Sequence, residues 1–112
     1  MSQRTEQVAS LIQHILGGIF ARDIEWPEGA LATLTKVDVP ADLKNANVMI
    51  SVLPFNRWRE VMNVLNKNKS MMHKKMSAEL KMKFSPKLHF RLDESPEKVA
   101  EIEKLLNDES LD

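Results

Sequence analysis

Apolar residues near the start of the chain recur at alternating spacings of three and one. Val8, Leu11, Ile12, Ile15, Leu16, Ile19 and Phe20 form one stripe, which predicts an amphipathic helix over roughly residues 4–21. Gly17 and Gly18 lie inside it and weaken it by about 0.5–1 kcal/mol each relative to alanine. Burial of the stripe, at roughly 1.5–3 kcal/mol per side chain, outweighs that. Trp26-Pro27-Glu28-Gly29 then reads as a turn. Beyond it the period changes to two. Leu31, Thr33, Thr35, Val37 and Val39 alternate with other residues and predict a strand, ended by Pro40-Ala41-Asp42. Ala46, Val48, Ile50 and Val52 predict a second strand, closed by Pro54. The short connection makes the two an antiparallel pair.

The helical period returns over about 56–66, with Trp58, Val61, Met62 and Leu65 inward. Asn66-Lys67-Asn68-Lys69-Ser70 interrupts it. Asparagine tolerates left-handed backbone and serine caps helices, so a kink is expected there. A second short helix is expected over about 70–79, with Met72, Met76 and Leu80 inward. Pro86 opens a third strand, where a missing N–H is tolerated. Leu88, Phe90 and Leu92 of that strand face the core, and Lys87, His89 and Arg91 face away. Ser95 as N-cap and Pro96 as first helical residue start a final helix carrying Val99, Ile102, Leu105 and Leu106. The last residues, 107–112, should fray. The order predicts an α+β sandwich: three strands covered on one face by helices, with a polar open face. No repeat or low-complexity linker divides it. The expected division is a domain over 1–94 and an acidic C-terminal helix and tail over 95–112.

Length and composition narrow the function. A chain of 112 residues suits one domain that buries its own core. Without cysteine there is no disulfide framework and no thiolate metal site, which fits a reducing compartment. The longest apolar stretch, near Ile15–Phe20, is too short to span a bilayer. The first residues carry no signal-peptide core. A soluble, cytoplasmic protein with no membrane partner is expected.

The net charge of zero conceals a strong segregation. Residues 57–91 hold ten basic and two acidic side chains, a net +8, whereas residues 92–112 hold two basic and eight acidic, a net −6. Such segregation suggests an anionic partner for the middle of the chain and a solvated or regulatory tail. The plainer alternative is a lysine-rich helix that keeps the chain in solution.

Candidate chemistry is sparse. His14, His73 and His89 have no partner at metal-ligand spacing, so neither a metal nor another cofactor is expected. There is no glycine-rich phosphate loop. Asp93-Glu94 suits the N-terminal end of a helix dipole. Ser70 and Ser95 are capping candidates without an adjacent base, so catalysis is not expected. Met62, Met71, Met72, Met76 and Met82 could line a groove for a partner, but at helical spacing core is the better reading. The basic segment remains: Lys67 and Lys69 at the kink beside Ser70, Lys74 and Lys75 on the helix, then Lys81, Lys83, Lys87 and Arg91. On a helical wheel Lys74 points away from the Met72/Met76 face and Lys75 flanks it. Lys81 and Lys83 alternate with Met82 and Phe84 and so share one side. This arrangement can track a phosphate backbone. The exposed aromatic candidates are only Trp26, Phe55 and Trp58, which favours recognition of RNA shape and backbone over stacking on splayed bases.

These residues resemble the ribosome-binding factor A family over nearly the whole chain. The likeness runs through Arg4, Val8-Ala9 and Ile12-Gln13, then Leu34-Thr35-Lys36-Val37-Asp38-Val39. It continues through Asp42-Leu43-Lys44-Asn45-Ala46 and Val48-Met49-Ile50-Ser51-Val52. Its most specific stretch is Ser85-Pro86-Lys87-Leu88-His89-Phe90-Arg91-Leu92-Asp93-Glu94-Ser95, where the family shows Thr/Ser-Pro-x-Leu-x-Phe followed by Asp-Glu-Ser. The resemblance implies a type II KH-like αββααβ domain, with an interhelical kink replacing the glycine-rich GxxG loop. That kink is usually Ala-x-Gly, and here Asn68-Lys69-Ser70 stands in its place. The resemblance also implies binding to small-subunit rRNA on the immature 30S subunit during late maturation, with a requirement at low temperature.

The expected function is therefore a non-enzymatic ribosome assembly factor, monomeric when free. It would contact RNA through Lys67, Lys69, Ser70, Lys74, Lys75, Lys81, Lys83, Lys87 and Arg91. The rival is a protein-interaction adaptor that binds a ribosomal protein or GTPase through the Met-rich helix and acidic tail.

Overall fold

The structure, a computed structural model, describes residues 3–94. The C-terminal helix expected after Ser95 lies outside the described residues. Helix α1 spans Gln3–Arg22, strands β1 and β2 span Leu31–Asp38 and Asn45–Leu53, helices α2 and α3 span Trp58–Lys67 and Lys69–Leu80, and strand β3 spans Lys87–Leu92. A single 3-10 turn, Phe55–Arg57, leads into α2. The order is the one the periodicities predict.

The sheet runs β1-β2-β3. The first pair is antiparallel and the second parallel, with Ala46 beside Leu88 and Val48 beside Phe90. Ala46, Val48, Ile50 and Val52 alternate inward along β2 and are buried with Leu88 and Phe90 of β3. Against this face pack Ile12, Ile15, Leu16 and Ile19 of α1, Val61 and Leu65 of α2, and Met72, Met76 and Leu80 of α3. At roughly 1.5–3 kcal/mol per buried apolar side chain, this single core holds the two layers together. Leu11, counted in the α1 stripe, is 43% exposed and sits at its margin. Phe20 and Trp26 close the end of α1. Their rings meet edge-to-face at 5.1 Å, and Trp26 Nε1 donates to the Phe20 carbonyl at 3.0 Å. The last-turn carbonyls of a helix lack intrahelical partners, and the indole supplies one.

Strand β1 departs from its expected phase. Leu31 and Thr33 lie on the face opposite Val37, because a bulge falls between Leu34 and Lys36. The extra residue is Thr35. One residue too many on one strand reverses which side chains point inward. Ala32 and Leu34 therefore pack on the core before the bulge, and Val37 and Val39 after it. The Thr35 hydroxyl lies 3.2 Å from the Met49 carbonyl and 3.1 Å from Asp93 Oδ2, sharing its proton between two acceptors. The open face is mostly polar, as expected, with Leu31 60% exposed as an exception.

The interhelical break is shorter than the sequence suggests. Only Asn68 leaves the helical path, at φ −97° and ψ 4°, and not in the left-handed region. Its side-chain Nδ2 donates to the Val64 carbonyl at 2.8 Å, and its own carbonyl accepts from the Met72 N–H at 3.0 Å. Asn68 thus closes α2 and opens α3. Ser70 sits inside the first turn of α3, and the N-cap position is held by Asn68 instead.

Candidate nucleic-acid interface

Two depressions lie at the ends of α3. The first, of about 320 Å³, is lined by Lys69, Ser70, His73, Lys87, Leu88 and His89. It forms where the break sets the first turn of α3 beside strand β3. His89 Nε2 lies within hydrogen-bond distance of Asn45 Oδ1, at 2.8 Å. His73 is half-buried against this strand, with Nε2 shielded from solvent.

The second is larger, about 820 Å³, and opens at the other end of α3. One wall is the β1–β2 turn. Leu43 N–H donates to the Pro40 carbonyl, and Lys44 N–H donates to Asp42 Oδ1, both at 2.9 Å. The other wall is the segment between α3 and β3, with Lys81, Met82, Lys83, Phe84 and Ser85. Lys87 N–H donates to the Lys44 carbonyl at 2.9 Å and ties the walls together at the start of the parallel ladder. Arg4 enters from the first turn of α1. Arg4, Lys44, Lys81, Lys83 and Lys87 thus meet around this groove, with Asp42 as the one carboxylate among the described residues that line it. Lys87 lines both depressions, so the basic surface is continuous from the interhelical break to the β1–β2 turn.

Of the nine residues expected from sequence, this surface gathers Lys69, Ser70, Lys81, Lys83 and Lys87. Lys74 is exposed on the outer side of α3, Lys67 at the end of α2, and Arg91 on the open face of the sheet. Lys75 points instead to the end of α1, where its Nζ lies 3.1 Å from Asp23 Oδ2. Sequence reasoning missed Arg4 and Lys44, which reach the groove only through the tertiary fold. It also missed Phe84. The apparent alternation over 81–84 predicts Phe84 on the side of Met82. Lys81 is instead left-handed, at φ 55°, so the chain reverses there and Phe84 emerges 78% exposed. Trp26 and Trp58, taken as exposed aromatics, are partly buried against the core, and Phe55 is half-buried.

The methionines belong to the interior. Met72 and Met76 are fully buried, and Met62, Met71 and Met82 pack against the same core. Arg57 is occupied elsewhere. Its guanidinium donates to the Glu28 carbonyl and to both Glu60 carboxylate oxygens. The hydrogen bonds with Arg57 hold the Glu60 carboxyl below its ordinary range and raise the Arg57 guanidinium above its own. Among the described residues no His, Asp or Glu group is arranged to hold a metal, and no helix is long and apolar enough to cross a membrane.

The αββααβ order, the mixed sheet covered on one face and the brief break between the last two helices define a type II KH-like domain. Within that class the chain belongs to the ribosome-binding factor A family, whose family model matches residues 4–106. It is 38% identical to ribosome-binding factor A of Roseiflexus castenholzii over 95% of this chain and 83% of that one. It is also 38% identical to that of Chlorobium phaeovibrioides, over 95% and 91% respectively. The solution structure of a putative ribosome-binding factor A from Thermotoga maritima shares the fold. Its TM-score is 0.59 at 23% identity, over 83% of this chain and 86% of that one. A homology model of the Thermus thermophilus factor, fitted into an electron cryomicroscopy map of its complex with the 30S subunit, shares it too. Its TM-score is 0.56 at 13% identity, over 86% and 99%.

Proposed function

We propose that this protein is a ribosome assembly factor that binds rRNA of the immature 30S subunit and assists its late maturation. The role is binding, not catalysis. The observation that carries the reading is the continuous basic surface that Lys87 joins, with Lys69 at one end and Arg4, Lys44, Lys81 and Lys83 at the other. Cations on a rigid scaffold hold a phosphate backbone irrespective of sequence. Family membership supports the choice of partner, as does the Thermus relative fitted into a 30S complex. Four to six such contacts give a logarithmic salt slope of roughly −3 to −5. Lys67, Lys74 and Arg91 flank the surface and add to long-range attraction, which is screened over about 8–10 Å at physiological salt. The same reading makes the protein cytoplasmic and monomeric when free.

Reversal of Lys69, Lys81, Lys83 and Lys87 to glutamate is expected to abolish co-sedimentation with immature small subunits. Lys36→Glu, at an exposed position of β1, is expected to leave it intact. A folded quadruple variant that still sediments would overturn the assignment. The rival adaptor reading loses the methionine groove it needs, because Met72 and Met76 have no exposed surface.

A further inference from the structure

Phe84 is 78% exposed, although the Lys83 ammonium lies 5.6 Å from the centre of its ring. A lone exposed apolar residue is ordinary on a protein surface. Its surroundings are what set Phe84 apart. It stands in the larger groove, with cations from three separate parts of the chain: Arg4, Lys44, and the Lys81, Lys83 and Lys87 of its own wall. The groove is also built on constrained backbone. Leu43 at φ 59° and Lys81 at φ 55° are the only non-glycine residues in the left-handed region among the described residues, and they sit on opposite walls. Such conformations cost free energy and persist where the surroundings fix them, which is common at binding sites. An open aromatic ring among cations is what a single nucleic-acid strand requires: the ring takes a base and the cations take the phosphates on either side. A regular duplex keeps its bases stacked and offers the ring nothing.

We propose that this groove is a nucleotide subsite, in which Phe84 stacks on an unpaired RNA base while Arg4, Lys44, Lys81 and Lys83 hold the flanking phosphates. The inference rests on the RNA-binding reading above and adds to it a preference for single strands. Ring stacking is indifferent to base identity, so the subsite selects strandedness and not sequence. The smaller depression at the interhelical break, which has cations and no exposed aromatic ring among the described residues that line it, contributes backbone contacts only.

The test is titration of the full chain with a short single-stranded oligoadenylate and with an RNA duplex of matching length, at several salt concentrations. Phe84→Ala is expected to weaken oligoadenylate binding by roughly 5- to 150-fold, the worth of one stacked base, with an unchanged salt slope because no phosphate contact is lost. Duplex binding should not change. Phe84→Trp should keep the affinity, and Phe84→Leu should lose it as alanine does. Phe84 is exposed, so these variants are expected to unfold at wild-type denaturant concentrations. Wild-type affinity in Phe84→Ala, or retention by Phe84→Leu, overturns the subsite. If Phe84→Ala binds oligoadenylate normally but no longer sediments with small subunits, the ring docks on a ribosomal protein and the subsite also falls. If the lysine reversals abolish RNA binding and Phe84→Ala does nothing, only the subsite fails. If the wild type binds neither RNA, the broader reading fails with it.

Discussion

Arg57 occupies the space that a side chain on Gly29 would need. A Cβ added to Gly29 would stand 2.9 Å from Arg57 Nη1, the nitrogen that donates to the Glu28 carbonyl. Gly29 is also at φ +81°, in a turn closed by the Ala30 N–H on the Pro27 carbonyl at 3.1 Å. Gly29→Ala is therefore expected to cost about 1–2 kcal/mol from the left-handed backbone alone, and more from the displaced guanidinium. Gly17→Ala should act in the opposite sense. Gly17 lies within α1 with nothing within 4 Å of an added Cβ, so alanine should gain about 0.5–1 kcal/mol. Urea denaturation of the two variants checks both signs.

The Arg57–Glu60 pair gives a signature at low pH. The Glu60 carboxyl is held below its ordinary value of 4.5 by the Arg57 hydrogen bonds. Its contribution is therefore complete above that value and is lost as pH falls through the lower folded-state value. Glu60→Gln should be less stable than the wild type near neutrality, and the two stability curves should converge in acid. Both groups are solvated, so the separation is expected to be small.

Asn68 tests the break between α2 and α3. Asn68→Ala removes the Nδ2 bond to the Val64 carbonyl and is expected to cost about 0.5–1.5 kcal/mol. Asn68→Pro also removes the backbone N–H bond to that carbonyl and should cost about 3 kcal/mol. Thermal unfolding followed by circular dichroism should rank the two in that order.

Met76 separates core from groove. It is fully buried, so Met76→Ala should cost about 2–5 kcal/mol by opening a cavity. A partner-binding methionine would instead change affinity and leave the denaturation midpoint where it was.

Lys87 and Lys75 should differ in salt dependence. Lys87→Gln is expected to reduce the magnitude of the slope for single-stranded RNA by about 0.7, one phosphate contact. Lys75, paired with Asp23, should leave the slope unaltered when changed to glutamine. Binding isotherms over a range of salt concentrations measure both.

The order of elements is legible in the sequence because the hydrophobic period changes cleanly from 3.6 to 2 and back. The phase of β1 is not. An alternation of Leu31, Thr33, Thr35 and Val37 looks unbroken, but the bulge at Thr35 depends on partners in β2 and beyond β3, at Met49 and Asp93. Phe84 was hidden by the same kind of false period, since nothing local marks Lys81 as left-handed. Composition located the basic character of the site. It could not foresee that Lys75 would turn to Asp23, nor that Arg4 and Lys44 would join from a stretch with no excess of positive charge. Periodicity reports on the face a residue shares with its neighbours in sequence, and groove membership depends on neighbours in space.

The bulge and the basic strand have a further consequence for solubility. A three-stranded sheet has two outer strands, each with a row of backbone groups able to recruit another chain. Along β1, the bulge at Thr35 and the exposed Lys36 interrupt that row. Strand β3 is six residues long and presents Lys87 and Arg91 to solvent. On the RNA-binding reading proposed above, the charge that attracts a polyanion also repels a second copy of the same strand, so partner affinity and resistance to self-assembly rest on the same side chains.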